Sequence, residues 1–141
     1  MEEQQRACLV AEVLAANARF YQAFRDADFA AMQHVWAHAA EVACLHPGTP
    51  QLVGRRDVLE SFRKILLVAR DWEMTCRHPR VFVLSEQSAF VTCLEANGDQ
   101  PAHIIATNIF VREGDAWLMV QHQAGPLSRP VDVEPAHSVL N

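Results

Sequence analysis

Three titratable side chains in this sequence have the types and the surroundings that acid–base chemistry requires: His46, Glu95 and His122. His46 ends a short apolar run and is followed at once by the turn Pro47-Gly48. A rigid turn at the end of a strand aims the preceding side chain, and imidazole titrates near neutral pH, so His46 suits the role of a general base. In the alternative interpretation, His46 bonds a backbone carbonyl and only shapes the turn.

Glu95 and His122 lie in strand-like runs, in which alternate residues share a face. Apolar neighbours on the face of Glu95 favour an inward direction, although a surface glutamate and a histidine satisfied by backbone remain the alternatives. If the predicted inward faces form one surface, Glu95, Asn108 and His122 all face the cavity that His46 enters. The predicted inward sets are Val91, Cys93 and Glu95; Ala106, Asn108 and Phe110; and Leu118, Val120 and His122.

The predicted site combines a catalytic pair with a larger ligand-binding set. His46 and Glu95 are the predicted catalytic residues, with His46 as the base and Glu95 orienting or neutralising it. Aromatic side chains from helices and loops would complete an apolar pocket with a few polar groups, which is the usual composition of a small-molecule site. The predicted ligand-binding residues are Trp36, Phe62, Trp72, Asn108, Phe110 and His122.

Metal and thiol chemistry are disfavoured by spacing and context. His46, Glu95 and His122 could form a set of two histidines and a carboxylate, but they lie on separate strands without HxH or HxxE spacing, so we expect neither a metal nor a cofactor. Cys44 and Cys93 lie in apolar runs, which raise the pKa of a thiol and make it inert.

The composition describes one acidic domain. The chain has 141 residues, with 12 basic and 17 acidic side chains and a net charge of -5. The absence of any Lys/Arg cluster argues against nucleic acid, and no apolar run is long enough for a membrane span. The first residues do not resemble a signal peptide, and four cysteines without CxxC spacing suit free thiols, so we expect a cytoplasmic protein.

Helical patterns dominate the first half of the chain. Apolar residues recur at three- and four-residue spacing over 3–26, and Asp28 is a good N-cap for a second, shorter helix. Asp57 and Glu60 resemble a capping box, which predicts a third helix that runs to about residue 69.

Strand patterns fill the second half, and helices first with strands later indicate an α+β fold. We expect a cone-shaped, curved sheet, mixed or antiparallel, whose concave face is covered by the three helices. Residues 1–126 form one domain, and the proline-containing tail 127–141 is a surface segment or a dimer arm. The predicted strands are Met74–Leu84, Ser88–Ala96, Ala102–Arg112 and Ala116–Ala124.

The order of these elements, with His46-Pro47-Gly48 and Gly54-Arg55, resembles the SnoaL-like, ketosteroid-isomerase-like branch of the nuclear transport factor 2-like superfamily. The resemblance covers about residues 12–126 and includes Phe20–Phe24 and Trp117–His122. It implies a cone-shaped fold, frequent homodimers packed through their sheets, and a small-molecule pocket between sheet and helices. The superfamily is functionally mixed, so the fold does not identify the reaction.

The resemblance also tests one reaction residue by residue. Ketosteroid isomerase has a catalytic carboxylate at the place of His46, and its oxyanion hole uses a tyrosine and an acid at places that match Phe20 and about Thr107. Phe20 offers no donor, although Tyr21 is adjacent, and a threonine donates more weakly than a protonated acid. Without two strong donors the enolate loses its main stabilisation, so steroid isomerisation is not expected.

The resulting hypothesis is a small-molecule-binding domain that acts as an acid–base isomerase, cyclase or lyase on an apolar carbonyl compound. Two alternatives stay open: a non-catalytic ligand carrier that uses the same pocket, and a protein-association module that dimerises through its sheet. The expected partners are an apolar small molecule and a second copy of the chain.

Overall fold

Helices occupy the first half of the chain and long strands the second in the computed structural model, which describes residues 1–68 and 71–132. No helix in this described part is both long and apolar enough to cross a membrane. The helices are α1 (Glu3–Arg25), α2 (Phe29–Val35) and α3 (Arg55–Val68). The strands are β1 (Ala43–Leu45), β2 (Leu52–Val53), β3 (Met74–Ser85), β4 (Ser88–Asn97), β5 (Ala102–Glu113) and β6 (Ala116–Val131).

The strands form one mixed, open sheet in the order β2-β1-β6-β5-β4-β3. β3 to β6 are antiparallel neighbours, whereas β1 runs parallel to β6 and antiparallel to β2. The core lies between the helices and one face of this sheet. The predicted α+β fold with three helices on a cone-shaped sheet is confirmed, and the two-residue β2 is an addition to the predicted strands.

The starts of the two shorter helices have different causes. α2 begins as the sequence predicts, since the Asp28 side chain accepts a backbone hydrogen bond of 3.0 Å from the first turn. α3 begins at Arg55, so Asp57 lies inside its first turn and the capping-box prediction is wrong. The turn ending at Gly54 sets this start instead, because the Gly54 carbonyl accepts from the backbone N–H of Val58.

Strand β6 is longer than predicted and changes phase along its length. It continues to Val131, so residues 127–131 of the predicted tail belong to the sheet, and 133–141 lie outside the described residues. The β5–β6 register shifts by one residue after Ile109. Met119 faces the helices before the shift and His122 after it, so the predicted inward direction of Leu118 and Val120 is wrong.

Candidate functional site

A cavity of about 320 Å³ lies between the helices and the concave face of the sheet. His46, Glu95 and His122 supply its titratable groups. The other walls are mainly apolar and include Phe24, Ile65, Trp72, Met74 and Ile104. The structure therefore brings four of the predicted site residues to one cavity: His46, Trp72, Glu95 and His122.

The other four predicted ligand-binding residues lie behind the cavity wall. Trp36, Phe62, Phe110 and Asn108 are fully buried and do not line the cavity. Strand alternation and helical periodicity indicate which face a residue occupies, but not how deep it lies beneath that face. Phe62 acts indirectly, since its ring lies 5.0 Å from the ring of His46 and supports it from behind.

His46 is half-buried at the end of β1, and burial lowers its pKa from the ordinary value, which favours a neutral ring. Its Nε2 lies 3.0 Å from the Ser61 hydroxyl oxygen. That hydroxyl already donates its proton to the Val58 carbonyl at 2.6 Å. Nε2 must therefore donate to Ser61, so Nδ1 keeps the lone pair. The Cys44 sulfur lies 3.5 Å from Nε2 and 3.9 Å from Nδ1. A neutral imidazole with a lone pair can accept a proton from a ligand.

Glu95 lies on β4 with only 3% of its surface exposed. Its Oε2 accepts a hydrogen bond of 2.6 Å from the Tyr21 hydroxyl. Burial raises the pKa of Glu95 to about 7, and the bond from Tyr21 opposes the rise only in part. Near neutral pH this carboxyl group is therefore poised between its acid and its carboxylate form, as a general acid requires.

His122 lies on β6 between Asn108 and Glu95. Its Nδ1 is 2.6 Å from Asn108 Oδ1, and its Nε2 is 3.9 Å from Glu95 Oε2. Burial, together with the nearby His46, lowers the pKa of His122 to about 3. The approach of His122 to Glu95 is therefore not an ion pair at neutral pH, because the imidazole is uncharged there.

Three contributors are absent from the predicted site: Asn17, Ser61 and Tyr21, of which only Tyr21 was noted, as the neighbour of Phe20. Asn17 and Tyr21 are buried one helical turn apart on α1, and Asn108 donates hydrogen bonds to both of them. Two polar residues at this spacing within an apolar stripe were a usable signal, because a buried polar group requires a partner. Ser61 gave no comparable signal, since a serine in a helix commonly bonds its own backbone.

The thiols of Cys44 and Cys93 are poor nucleophiles in this structure. Burial raises the pKa of Cys44 to about 12, which agrees with the expectation of an inert thiol. The pKa of Cys93 is also well above its ordinary value, through the neighbouring Cys76 and through burial. Among residues 1–68 and 71–132, no three His, Cys, Asp or Glu side chains are arranged to hold a metal ion.

Comparison with known proteins extends this description. The family model of the SnoaL-like domain matches residues 13–128. The chain is similar to a structure from Streptomyces avermitilis that is provisionally named a dehydratase of the NTF2-like family. Identity is 33%, the match covers 85% of this chain and 96% of that chain, and the TM-score is 0.72.

Two further structures show the breadth of the relationship. One, from Thiobacillus denitrificans, is provisionally named a calcium/calmodulin-dependent protein kinase type II association domain; it is 33% identical, with 81% and 94% of the two chains covered and a TM-score of 0.68. A ketosteroid isomerase-like protein from Erwinia carotovora atroseptica shares the fold at 20% identity, with 85% and 97% covered and a TM-score of 0.67. No curated protein matches the chain. The match over residues 13–128 and the two relatives at 33% identity show that the chain belongs to the SnoaL-like domain family of the NTF2-like superfamily.

Proposed function

We propose that the cavity binds a small, largely apolar carbonyl compound and that His46 and Glu95 transfer protons on it as an acid–base lyase. The observation that carries this proposal is the convergence of His46, Glu95 and His122 on one apolar cavity. Their neutral imidazoles and a carboxyl group with a pKa of about 7 supply a base and an acid at the same pH.

Elimination of water is the reaction that uses both groups. The Nδ1 lone pair of His46 takes a proton from the carbon next to the carbonyl. The electron pair of the broken C–H bond forms the new carbon–carbon double bond. The bond to a hydroxyl on the next carbon breaks, and protonated Glu95 gives its proton to that hydroxyl, which leaves as water. The dehydratase name of the relative from Streptomyces avermitilis supports this choice among lyases.

Isomerisation or cyclisation could use the same pair but has weaker support. Both reactions build negative charge on a carbonyl oxygen, which needs donors aimed at that oxygen. Phe20 packs 4.8 Å from the ring of His122 and offers no donor, and the hydroxyl of Tyr21 is committed to Glu95. Dehydration depends less on donors to the carbonyl oxygen, because protonated Glu95 neutralises the leaving hydroxyl.

The test uses diacetone alcohol, a small uncharged β-hydroxy ketone whose dehydration product, mesityl oxide, absorbs in the ultraviolet. We expect dehydration of this compound to mesityl oxide, followed by the ultraviolet absorbance of the product. His46→Gln keeps a donor toward Ser61 but removes the base, so turnover should fall about 100-fold or more with binding retained.

The control for that test is His34→Gln, which removes an exposed histidine from the surface of α2 and should leave turnover unchanged. Unchanged turnover in His46→Gln would remove His46 from the mechanism. A probe that binds but is not dehydrated would overturn the enzymatic proposal.

That last outcome would favour the second candidate, a non-catalytic ligand carrier. It is supported by the scarcity of strong donors toward a ligand carbonyl, since His122 Nε2 is an acceptor and the unpartnered indole N–H of Trp72 is buried. A carrier would bind its ligand without chemical change, which nuclear magnetic resonance of the recovered ligand would show.

We also propose that the chain forms a homodimer through the outer face of its sheet. Alternation places Leu94 and Ile105 on that face, where they pair across β4 and β5, and Ile105 is 49% exposed. An apolar sheet face of this kind is stabilised when a second copy covers it. Light scattering in solution should give twice the mass of 15.8 kDa, and a monomer mass would contradict the proposal.

The location that we propose is the cytoplasm. All four cysteines are free thiols, and thiols persist in a reducing compartment. Fractionation of the source cells tests this, and recovery outside the cytoplasm would contradict it.

A further inference from the structure

Hydrogen-bond directions in the wall of the cavity determine which atoms face the ligand. Asn108 donates both of its side-chain N–H groups, one to Asn17 Oδ1 at 2.8 Å and one to the Tyr21 hydroxyl oxygen at 3.1 Å. The atom of Asn108 that faces His122 is consequently its oxygen, which can only accept. His122 Nδ1 must therefore carry the ring proton and donate it to Asn108.

His122 Nε2 then carries a lone pair and no proton. It lies 3.9 Å from Glu95 Oε2, which is too far for a hydrogen bond. That oxygen already accepts from Tyr21, and Glu95 Oε1 makes no hydrogen bond with any residue that the structure describes. Two acceptor atoms at the cavity, His122 Nε2 and Glu95 Oε1, thus lack a protein partner among the described residues, and a ligand is the natural source of one. The buried indole N–H of the lining residue Trp72 also has no hydrogen-bond partner among those residues.

A hydroxyl group can bond both of these atoms when Glu95 is protonated, and one of them when Glu95 is ionised. It can donate to His122 Nε2, and it can accept from Glu95 when that carboxyl is protonated. When Glu95 is ionised, the hydroxyl can donate to the carboxylate instead. A carbonyl or carboxylate oxygen cannot donate to His122, and an ammonium group cannot accept from a protonated Glu95.

Charge around the cavity excludes anions. None of the described lining residues is Lys or Arg, so a ligand carboxylate or phosphate would be buried beside Glu95 without a counter-charge. Trp72 also borders an outer groove, and among its described lining residues the three carboxylates of Asp26, Asp71 and Glu73 outnumber the guanidinium of Arg25.

We propose that the site selects an uncharged, largely apolar compound that places a hydroxyl group between Glu95 Oε1 and His122 Nε2. The proposal rests on the proposed function, in which this group is the hydroxyl that leaves as water. It adds that His122 and Asn108 are the residues that determine specificity, and that acids, phosphate esters and thioesters bearing phosphates are not substrates.

The test is a binding panel of four probes that share one benzene ring: benzyl alcohol, benzaldehyde, benzylamine and benzoate. Dissociation constants come from chemical-shift titration of the labelled protein at neutral pH. We expect benzyl alcohol to bind most tightly and benzoate at least about tenfold more weakly, with benzaldehyde and the protonated benzylamine between them. Benzoate or benzaldehyde binding as tightly as the alcohol would overturn the proposal, and so would tighter binding of benzylamine.

A variant tests whether the preference for benzyl alcohol depends on the His122 tautomer that carries its proton on Nδ1. His122→Phe keeps a ring of similar size and removes the acceptor, so the preference for benzyl alcohol over benzaldehyde should disappear. Because the variant leaves the side-chain oxygen of Asn108 without its His122 partner and can unfold the protein, the nitrogen chemical shifts of His122 in the wild type provide an independent measurement. A proton found on Nε2 instead of Nδ1 would overturn the proposal without any variant.

The panel is independent of turnover, so the two proposals can fail separately. A preference for the alcohol without dehydration of diacetone alcohol would leave this inference standing and overturn the enzymatic function. Dehydration without a preference for the alcohol would do the reverse.

Discussion

Two groups of polar side chains in this molecule are comparably well connected but differ in what they leave unbonded. We call the first the cavity network, made of Asn17, Tyr21, Glu95, Asn108 and His122. Its hydrogen bonds join α1 to three adjacent strands behind the cavity. Two of its atoms, Glu95 Oε1 and His122 Nε2, keep no hydrogen-bond partner among the described residues.

The second group is the loop clamp, made of Arg55 and Glu113 with the backbone that follows α2. Arg55 donates to three backbone carbonyls in and just after the last turn of α2, those of Gln33, Trp36 and Ala37. Glu113 accepts from three backbone N–H groups at 3.0 Å each, those of residues 38–40. Through these bonds, the two charged side chains pair with backbone carbonyl and N–H groups at and after the end of α2.

The two groups therefore differ in role: the loop clamp holds the fold, and the cavity network serves the cavity. In the loop clamp a charged side chain is bonded by backbone and has no role toward a ligand, although Gly54-Arg55 is part of the motif that resembles the family. In the cavity network each bond orients a neighbour, and the unbonded atoms lie at the cavity. Replacing a member of the network should therefore change chemistry, whereas replacing a member of the clamp should change stability.

The largest expected effect is the loss of turnover in Glu95→Gln. Glutamine can still accept the bond from Tyr21 but cannot give a proton to a leaving hydroxyl, so dehydration of diacetone alcohol should fall about 100-fold or more. Ultraviolet absorbance of the product measures it. Glu41→Gln, an exposed change, is the control, and a loss of less than about threefold in Glu95→Gln would contradict the role of Glu95 as the acid.

The same variant should change how stability depends on pH. The pKa of Glu95 rises from 4.5 to about 7 on folding, so the folded state holds a proton that the unfolded state has lost between these values. Wild-type stability from this group is present at low pH and is lost as pH rises toward 7. Relative to wild type, Glu95→Gln should therefore gain about 3 kcal/mol between about pH 4 and about pH 8.

Urea unfolding of both proteins measures that difference. The opposite trend from His122, whose pKa is lowered by folding, is common to both proteins and cancels in the comparison. A constant difference in the free energy of unfolding across this range would show that Glu95 titrates alike in the folded and unfolded chains, and would contradict its raised pKa.

A smaller effect is expected in the loop clamp. Arg55→Met keeps the aliphatic stem but leaves the carbonyls at the end of α2 without their donor, which should cost about 2 kcal/mol of unfolding free energy. Arg56→Met, which changes a neighbouring side chain that is 94% exposed, should cost almost nothing. Binding of benzyl alcohol should be unchanged in both. Lost binding with unchanged stability in Arg55→Met would erase the distinction between clamp and network.

Much of the fold and part of the site follow from local patterns in the sequence. Asp28 caps α2 because its short side chain reaches the first turn, and Glu95 faces inward because its alternate neighbours Val91 and Cys93 are apolar. The direction of His122 was predicted correctly although the phase before it was not. Strict alternation places Leu118 and Val120 inward, and the register shift in the middle of β6 places Met119 there instead.

The parts that could not be predicted depend on contacts between distant segments. Trp36 and Phe62 are aromatic, as residues of a ligand site commonly are. In the structure they pack against each other in the core, with ring centroids 5.8 Å apart, and local sequence patterns do not predict this contact. The direction of each hydrogen bond in the cavity network depends on every other member. No single residue type reveals that Asn108 makes His122 an acceptor.

The central claim is that Glu95 and His122 present an acid and a neutral acceptor to one cavity at the same pH. The most direct measurement is a pH titration by nuclear magnetic resonance of the Glu95 carboxyl carbon, assigned by its absence in Glu95→Gln, and of the ring nitrogens of His122. The account predicts that the carboxyl titrates with a pKa of about 7 while His122 stays uncharged down to a pKa of about 3, with its proton on Nδ1. A Glu95 carboxyl that titrates at its ordinary pKa of 4.5, or a His122 ring that becomes charged near its ordinary 6.5, would contradict it.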